Sequence, residues 1–142
     1  GTSRFQSVKN GLALCKEESI IAVHDGVRPL ITPDFILNIY KEAESKKAVI
    51  PVRPVVESIR KVKGDCSEAL DRSMYYSVQT PQCFTSGLLH RAYQQEDQNT
   101  FTDDASVVEF LGEKVHLFEG EADNIKITTP KDLLLAEEIL KV

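Results

Sequence analysis

Short apolar runs alternate with amphipathic stretches along the whole chain. Residues 19–24 and 48–52 are compact apolar runs beside turn-forming residues, a pattern that favours buried strands. Residues 33–43 instead carry apolar side chains three or four positions apart, which is the spacing of a helix that packs one face onto a sheet. The alternation of these two patterns predicts an α/β domain.

The same patterns predict the remaining elements. Helices are expected to begin at serine and threonine residues that suit an N-cap, namely Ser7, Thr32, Thr85, Thr102 and Thr129. Further strands are expected over residues 115–118 and 125–128. In the last helix, the side chains expected to face the core are Leu133, Leu134, Ala136, Ile139 and Leu140.

Residues 56–78 are expected to project from the domain as a hairpin arm. Residues 58–63 and 74–78 are its two predicted strands, and the polar stretch 64–68 between them resembles a turn. The length of 142 residues suits one domain of ordinary size, so the arm is expected to belong to the same domain as the rest of the chain.

Charge and cysteine content narrow the classes of function. The formal net charge is −5, which argues against a nucleic-acid polymer as partner, because neutralising phosphates requires clustered Lys and Arg. Three cysteines without a CxxC pair argue against a disulfide framework or a zinc site, and they favour a reducing, cytoplasmic compartment. No apolar run has the length of a membrane helix, and the polar first ten residues lead us to expect no signal peptide.

Four polar clusters lie next to predicted strands, where open α/β sheets bind ligands. They comprise residues 24–29, residues 71–72 together with 78–82, residues 101–106, and residues 119–128. In the first cluster, Asp25 suits a metal or ribose hydroxyls, and Arg28 suits a phosphate because its guanidinium is a planar fork of donors. Lys126 lies between Ile125 and Ile127 on the opposite strand face, where a phosphate ligand would satisfy its charge.

Each cluster also has a purely structural interpretation. Asp25 and Arg28 can close a plain turn with an ion pair, and Lys126 can be a solvated lysine on an edge strand. Thr80 stands in a proline turn, and Thr102 suits a helix N-cap followed by acidic residues that the helix dipole favours. The residue patterns alone leave both interpretations open.

The order and sequence of the clusters resemble one family. The segments that carry the resemblance include VQTPQ, FTDDAS and DNIKIT, and the similarity extends over essentially the whole chain. The family is that of the 2-C-methyl-D-erythritol 4-phosphate cytidylyltransferases. The resemblance implies a doubly wound, mostly parallel sheet of the nucleotide-diphospho-sugar transferase type, with a projecting hairpin arm through which two subunits form a homodimer.

The resemblance also implies a reaction. A phosphate oxygen of methylerythritol phosphate attacks the α-phosphorus of CTP, and pyrophosphate leaves. The product is a cytidine-diphospho sugar alcohol for isoprenoid precursor synthesis, and Mg²⁺ assists as the cofactor. No protein nucleophile is required, so catalysis rests on positioning and charge stabilisation. A ribitol-5-phosphate cytidylyltransferase and a non-catalytic dimerising fragment remain alternatives.

The resemblance further assigns roles to residues of this chain. Lys126 matches a lysine that bridges both phosphates, and with Asp25 it is the expected catalytic residue. The positions matched to nucleotide binding are Gly1, Ser7, Asp25, Gly26 and Lys126. The positions matched to the sugar-phosphate pocket are Arg28, Thr80, Thr102, Asp123 and Lys126. The arm positions matched to substrate binding in the partner subunit's site are Ser58 and Arg72.

Two features depart from the family pattern. The arm carries Glu57-Ser58 where the family usually has Asp-Thr, which keeps the hydroxyl and removes a methyl group. The glycine-rich loop of the family, and central strands with it, precede the point at which these 142 residues begin. We therefore expect residues 1–142 to be the C-terminal part of a single nucleotidyltransferase domain, with impaired activity alone.

Overall fold

A computed structural model describes residues 1–16 and 18–141. Helices and strands alternate along these residues. In chain order they are α1 (Arg4–Leu12), β1 (Ile20–Val23), α2 (Pro33–Lys46), β2 (Ala48–Pro54), β3 (Arg60–Lys63), β4 (Cys66–Ala69), a 3-10 turn (Arg72–Met74), β5 (Tyr76–Val78), β6 (Gln82–Thr85), α3 (Ser86–Ala92), α4 (Asp104–Phe110), β7 (His116–Glu119) and α5 (Pro130–Ile139).

The main sheet is built around β2. One edge of β2 pairs with β7 in parallel, and the other edge pairs with β6 and β5, both antiparallel. The outer edge of β6 pairs with β1, again antiparallel. The α/β class is confirmed, but the described sheet is mixed rather than mostly parallel. The reason is that the β5–β6 segment runs back directly beside β2, whereas a parallel neighbour would need a longer crossover.

Helices cover both faces of this sheet, as a doubly wound arrangement requires. Alternate residues of β2 supply the two sides of the core because successive side chains of a strand point to opposite faces. Ala48, Ile50 and Val52 pack with buried side chains of α1, α3 and α4. Val49 packs with Phe35, Ile39 and Ala43 of α2 on the other face.

The helix starts at Thr32, Thr85 and Thr129 are confirmed, and two others shift. The first helix begins at Arg4, because Ser3 Oγ accepts the Gln6 amide at 3.1 Å; Ser7 lies one turn inside and donates to the Ser3 carbonyl. The fourth helix is capped by Asp103 rather than Thr102. Asp103 accepts the Ser106 amide, and the Ser106 hydroxyl accepts the Asp103 amide, which together form a capping box.

The hairpin arm is shorter than expected. Residues 60–63 pair with residues 66–69, so most of the stretch expected to be a turn forms strand β4. The reversal itself is at Gly64, whose φ of +57° suits a residue without a Cβ. Residues 76–78 pair with β2 and therefore belong to the main sheet rather than to the arm.

Two expectations for the C-terminal part are wrong. Residues 125–128 form no ladder with another strand in the described chain, although the Ile127 amide donates to the Val27 carbonyl at 2.8 Å. In α5, only Ala136 is buried, whereas the leucines at 133, 134 and 140 are half to three-quarters exposed. Leu135 is 51% exposed as well, so all three consecutive leucines of α5 lie largely outside the described core. No helix in the described residues is long and apolar enough to cross a bilayer.

Acid should weaken the start of α5. The Asp132 carboxylate accepts the backbone amides of Thr128 at 2.9 Å and Thr129 at 2.8 Å, and these hydrogen bonds lower the pKa of Asp132 to about 2. Because the folded pKa lies below the ordinary value of about 3.9, the contribution is complete above pH ~4 and disappears as pH falls through about 2.

An NMR acid titration of the α5 amides tests this expectation. Wild-type amide signals of Thr128, Thr129, Lys131 and Asp132 should move between pH ~4 and ~2. Asp132→Asn should show no such movement, because the amide does not titrate. Wild-type signals that stay constant across this interval would contradict the account.

Candidate active site

A polar cleft of about 470 Å³ opens at the edge of the sheet where β1 ends and β6 begins. Five parts of the chain contribute to it: α1, the loop after β1, the β5–β6 junction, the residues before α4, and the loop before α5. The lining residues are Arg4, Asp25, Arg28, Val78, Gln79, Thr80, Gln82, Thr102, Asp103 and Lys126. Five of the residues proposed from the sequence therefore meet here: Asp25, Arg28, Thr80, Thr102 and Lys126.

Asp25 and Lys126 form an ion pair on the lining of the cleft. The Lys126 Nζ lies 3.1 Å from Asp25 Oδ2, and the Lys126 side chain is 47% exposed. Partial burial alone would raise the pKa of Asp25, but the hydrogen bonds and charges of Lys126 and Arg28 outweigh it and hold the pKa below its ordinary value. Asp25 is therefore ionised at neutral pH, and Lys126 is held at the opening as a cation with access to a ligand.

The Arg28 guanidinium already has partners within the protein, whereas a residue that only binds phosphate would be free. Its side chain is only 10% exposed, and its Nε donates to Asp25 Oδ2 at 3.2 Å. Its Nη1 donates to the carbonyl oxygen of Asn124 at 2.8 Å. Arg28 thus joins the loop after β1 to the loop before Lys126 while still lining the cleft.

Two buried amide side chains, Gln79 and Asn124, join the β5–β6 junction to the loop before α5. Gln79 Nε2 donates to the carbonyl oxygens of Glu121 at 2.8 Å and Asn124 at 3.3 Å. Asn124 Nδ2 in turn donates to the Thr80 carbonyl at 2.9 Å. These hydrogen bonds join the β5–β6 junction, which carries Thr80, to the loop that carries Lys126. They therefore hold these two parts of the cleft lining together.

Gly120 should be intolerant of a larger side chain. A Cβ at this position would lie 2.4 Å from Gln79 Oε1 and 3.2 Å from the Val52 carbonyl oxygen. Gln79 would have to leave its two carbonyl partners to make room. We expect Gly120→Ala to lower the free energy of unfolding by about 1–3 kcal/mol.

Urea denaturation of two glycine variants measures this effect. Gly87 lies in α3, and a Cβ built there meets no atom within 4 Å. Gly87→Ala should therefore leave stability unchanged or raise it by up to about 1 kcal/mol, because glycine is unfavourable within helices. Equal stability of Gly120→Ala and Gly87→Ala would contradict the packing described for Gln79.

The sequence did not single out Arg4, which lines the cleft from α1. Both terminal nitrogens of Arg4 donate to the fully buried Asp104 carboxylate, one of them at 3.1 Å. The Tyr93 hydroxyl donates to the same carboxylate at 2.5 Å. Burial, together with the Asp104 carboxylate, raises the pKa of Tyr93 far above its ordinary range, so its hydroxyl remains a donor. No local signal marks Arg4, because Asp104 lies 100 positions away.

Gln82 holds the residues before α4 in place. Its Nε2 donates to Asp103 Oδ2 and its Oε1 accepts the Ala105 amide, both at 2.9 Å. Gln82 is fully buried on β6, and it fixes the position of the neighbouring Thr102 on the cleft wall.

The structure does not bring every expected site residue to the cleft. Those outside its lining are Gly1, Ser7, Gly26, Ser58, Arg72 and Asp123. Gly1 packs against Ser7 at the start of α1, where a Cβ would lie 2.5 Å from the Ser7 nitrogen. Arg72 lies beyond the arm and donates to the Val56 carbonyl. The roles of these residues remain predictions.

Comparisons with known proteins identify the family of this chain. The family model described as 2-C-methyl-D-erythritol 4-phosphate cytidylyltransferase matches residues 1–142. The chain belongs to this family. Two relatives with the same name are those of Phocaeicola vulgatus, 51% identical over 140 residues, and Bacteroides thetaiotaomicron, 53% identical over 140 residues. In both cases the alignment covers 99% of this chain and 64% of the relative, so the chain spans slightly less than two-thirds of their length.

Solved cytidylyltransferase structures show the same fold. The 2-C-methyl-D-erythritol 4-phosphate cytidylyltransferase of Thermus thermophilus is 33% identical with a TM-score of 0.85, and the match covers all of this chain and 71% of that one. The 4-diphosphocytidyl-2C-methyl-D-erythritol synthase of Anaerococcus prevotii is 30% identical with a TM-score of 0.88, covering all of this chain and 66% of that one. The nucleotidyltransferase-like fold expected from the sequence is confirmed.

Proposed function

We propose that this chain provides the acceptor side of a cytidylyltransferase site that joins CTP and 2-C-methyl-D-erythritol 4-phosphate with release of pyrophosphate. The observation that carries the proposal is the position of Lys126, an accessible cation 3.1 Å from Asp25 at the opening of the polar cleft. Membership of the cytidylyltransferase family supports the choice of substrates, because the relatives are named for them.

The proposed chemistry needs charge and positioning rather than a protein nucleophile. A phosphate oxygen of the sugar alcohol attacks the α-phosphorus, the bond to the β-phosphate oxygen breaks, and pyrophosphate carries away the electron pair. Lys126 would leave Asp25 for the phosphates and offset the charge that grows on them in the transition state. Asp25 would then retain Arg28 as its partner, at 3.2 Å, and so would not be left as an unpaired carboxylate.

Mg²⁺ is proposed as the cofactor. The described residues contain no cluster of three or more His, Cys, Asp or Glu side chains that could hold a metal alone. Two carboxylates, Asp25 and Asp103, line the cleft, and Mg²⁺ in nucleotide sites is commonly held by one or two carboxylates together with substrate phosphates. These residues fit an ion that arrives with the nucleotide, and the ion would neutralise triphosphate charge when bound.

A second copy of the chain is proposed as partner at the arm, in a cytoplasmic homodimer. The hairpin and its base expose apolar side chains, including Val62 at 71% and Met74 at 76%. Light scattering should show twice the chain mass, and Val62→Asp should shift the protein towards monomer because it places a charge in the interface. Leu37→Asp, on the exposed side of α2, is the matched control. A wild-type monomer at high concentration would contradict the arm-mediated dimer.

Ligand binding to the 142-residue protein tests the site assignment. We expect methylerythritol phosphate to shift the NMR signals of five residues saturably, because they line the cleft: Asp25, Arg28, Gln79, Thr80 and Lys126. Ribitol 5-phosphate should bind more weakly, because its carbon chain is longer and lacks the branch. Saturable shifts elsewhere, or tighter binding of ribitol 5-phosphate, would contradict the proposal.

A further inference from the structure

His24 contacts the cleft residue Thr80 without lining the cleft itself. Its Nδ1 lies 2.9 Å from Thr80 Oγ1, and its Nε2 lies 3.1 Å from the backbone carbonyl oxygen of Arg28. The Thr80 hydroxyl also lies 2.9 Å from the Asp25 amide nitrogen. Thr80 Oγ1 therefore lies within a chain of hydrogen bonds that runs from the Asp25 amide through His24 to the Arg28 carbonyl.

With a neutral His24 imidazole, the chemistry of the end groups fixes every hydrogen in this chain. A carbonyl oxygen only accepts, so His24 Nε2 must carry the hydrogen that it donates to Arg28. A neutral imidazole has one N–H, which leaves Nδ1 as an acceptor, and the Thr80 hydroxyl must donate to it. The Asp25 amide only donates, so it occupies one lone pair of Thr80 Oγ1.

One lone pair of the Thr80 hydroxyl then remains for a ligand. Thr80 is only 6% exposed and lines the cleft, and its hydrogen bonds with His24 and the Asp25 amide set the direction of its hydroxyl hydrogen. With its hydrogen committed to His24, Thr80 can accept a hydrogen bond from a ligand but cannot donate one. A ligand hydroxyl group can supply that hydrogen, whereas an ionised phosphate oxygen cannot.

We propose that His24 is a positioning residue that fixes the direction of the Thr80 hydroxyl hydrogen and so makes Thr80 an acceptor for a hydroxyl group of the ligand. The identity of the ligand rests on the proposed function: a sugar-alcohol phosphate carries several hydroxyl groups beside its phosphate. His24 thereby selects the orientation of the acceptor substrate, with its polyol chain at Thr80 and its phosphate towards Lys126.

The tautomer of His24 is the direct test, and it needs no ligand. Long-range ¹H–¹⁵N spectra of the 142-residue protein at pH 8 resolve the three imidazoles, and His24→Asn identifies the signals of His24. We expect hydrogen on Nε2 and an unprotonated Nδ1, and Thr80→Val should shift the Nδ1 signal by removing its donor. His116→Asn should leave the His24 signals in place. Hydrogen on Nδ1, or a mixture of tautomers, would overturn the proposal.

Affinity for methylerythritol phosphate, measured by calorimetry, tests the consequence. His24→Ala should weaken binding about three- to tenfold, the effect of one neutral hydrogen bond. His24→Asn should restore it, because Asn Oδ1 can accept the Thr80 hydrogen. Adding Thr80→Val to His24→Ala should cost no more than Thr80→Val alone, since His24 acts through Thr80.

Additive losses in this double-mutant cycle, or a failure of asparagine to rescue, would overturn the role of His24. Absence of binding by the wild-type protein would contradict the proposed function instead. The tautomer spectrum would still decide whether His24 fixes the Thr80 hydroxyl, so the two failures are distinguishable.

Discussion

In an enzyme that spans the full length of its family, replacing Lys126 with methionine is expected to lower kcat for pyrophosphate release by about 10²–10³-fold. Removing one preorganised stabiliser of transition-state charge typically has an effect of this size. Methionine keeps an unbranched apolar stem and removes the charge, so it isolates the electrostatic contribution. The side chain is 47% exposed and its ion pair with Asp25 is solvated, so stability should change by less than about 1 kcal/mol.

Lys131→Met is the matched control for this prediction. Lys131 is an exposed lysine in the first turn of α5 and does not line the cleft. It should leave both kcat and KM unchanged. If Lys126→Met retains kcat within about twofold of wild type, Lys126 does not stabilise the reacting phosphates and the proposed mechanism is wrong.

Asp104→Ala is expected to destabilise the protein by about 2–3 kcal/mol, mainly because the buried Tyr93 hydroxyl loses its acceptor, while Arg4 is 43% exposed and can be solvated. Asp104 is fully buried and accepts hydrogen bonds from Arg4 and from the Tyr93 hydroxyl. Alanine would leave the Tyr93 hydroxyl without its acceptor inside the core and Arg4 without its counter-charge. Because Arg4 lines the cleft, ligand affinity should fall as well.

Two variants separate burial from charge in this prediction. Tyr93→Phe removes one hydrogen bond and leaves the Arg4–Asp104 pair in place, so it should cost about 1 kcal/mol. Arg91→Ala breaks an ion pair with Glu113 whose side chains are 60% and 43% exposed, and it should cost less than about 1 kcal/mol. Chemical denaturation that gives Asp104→Ala the same small cost as Arg91→Ala would contradict the assigned role.

Elements with a local cause were predictable from the sequence. The helix over Pro33–Lys46 has its cap, its proline and its apolar spacing within one segment, and β2 is a continuous apolar run. The second strand of the arm and the strand at residues 125–128 were predicted wrongly, because pairing partners decide whether an extended segment forms a strand and to which sheet it belongs. Residues 76–78 meet β2, whereas Ile127 makes a single backbone bond to Val27.

The candidate site was predictable where its residues lie in short local motifs. Asp25, Thr80 and Lys126 lie in short polar motifs that the family resemblance made specific, and the structure brings them together. Arg4 does not belong to such a motif, and its role depends on Asp104 far along the chain. Gln82 lies within VQTPQ, but the motif does not reveal that its side chain holds Asp103. Asp104 had a sufficient local explanation as an acidic residue in a first helical turn, so nothing indicated that its carboxylate is buried against Arg4 and Tyr93.

The measurement that tests the central claim most directly is a ³¹P NMR spectrum of an enzyme that spans the full length of its family, recorded with CTP, methylerythritol phosphate and Mg²⁺. The account predicts loss of the sugar phosphate monoester signal, appearance of the two coupled phosphorus signals of a diphosphate diester, and one pyrophosphate for each diester formed. Pyrophosphate that accumulates while the monoester signal stays intact would show that the sugar phosphate is not the acceptor and would contradict the account.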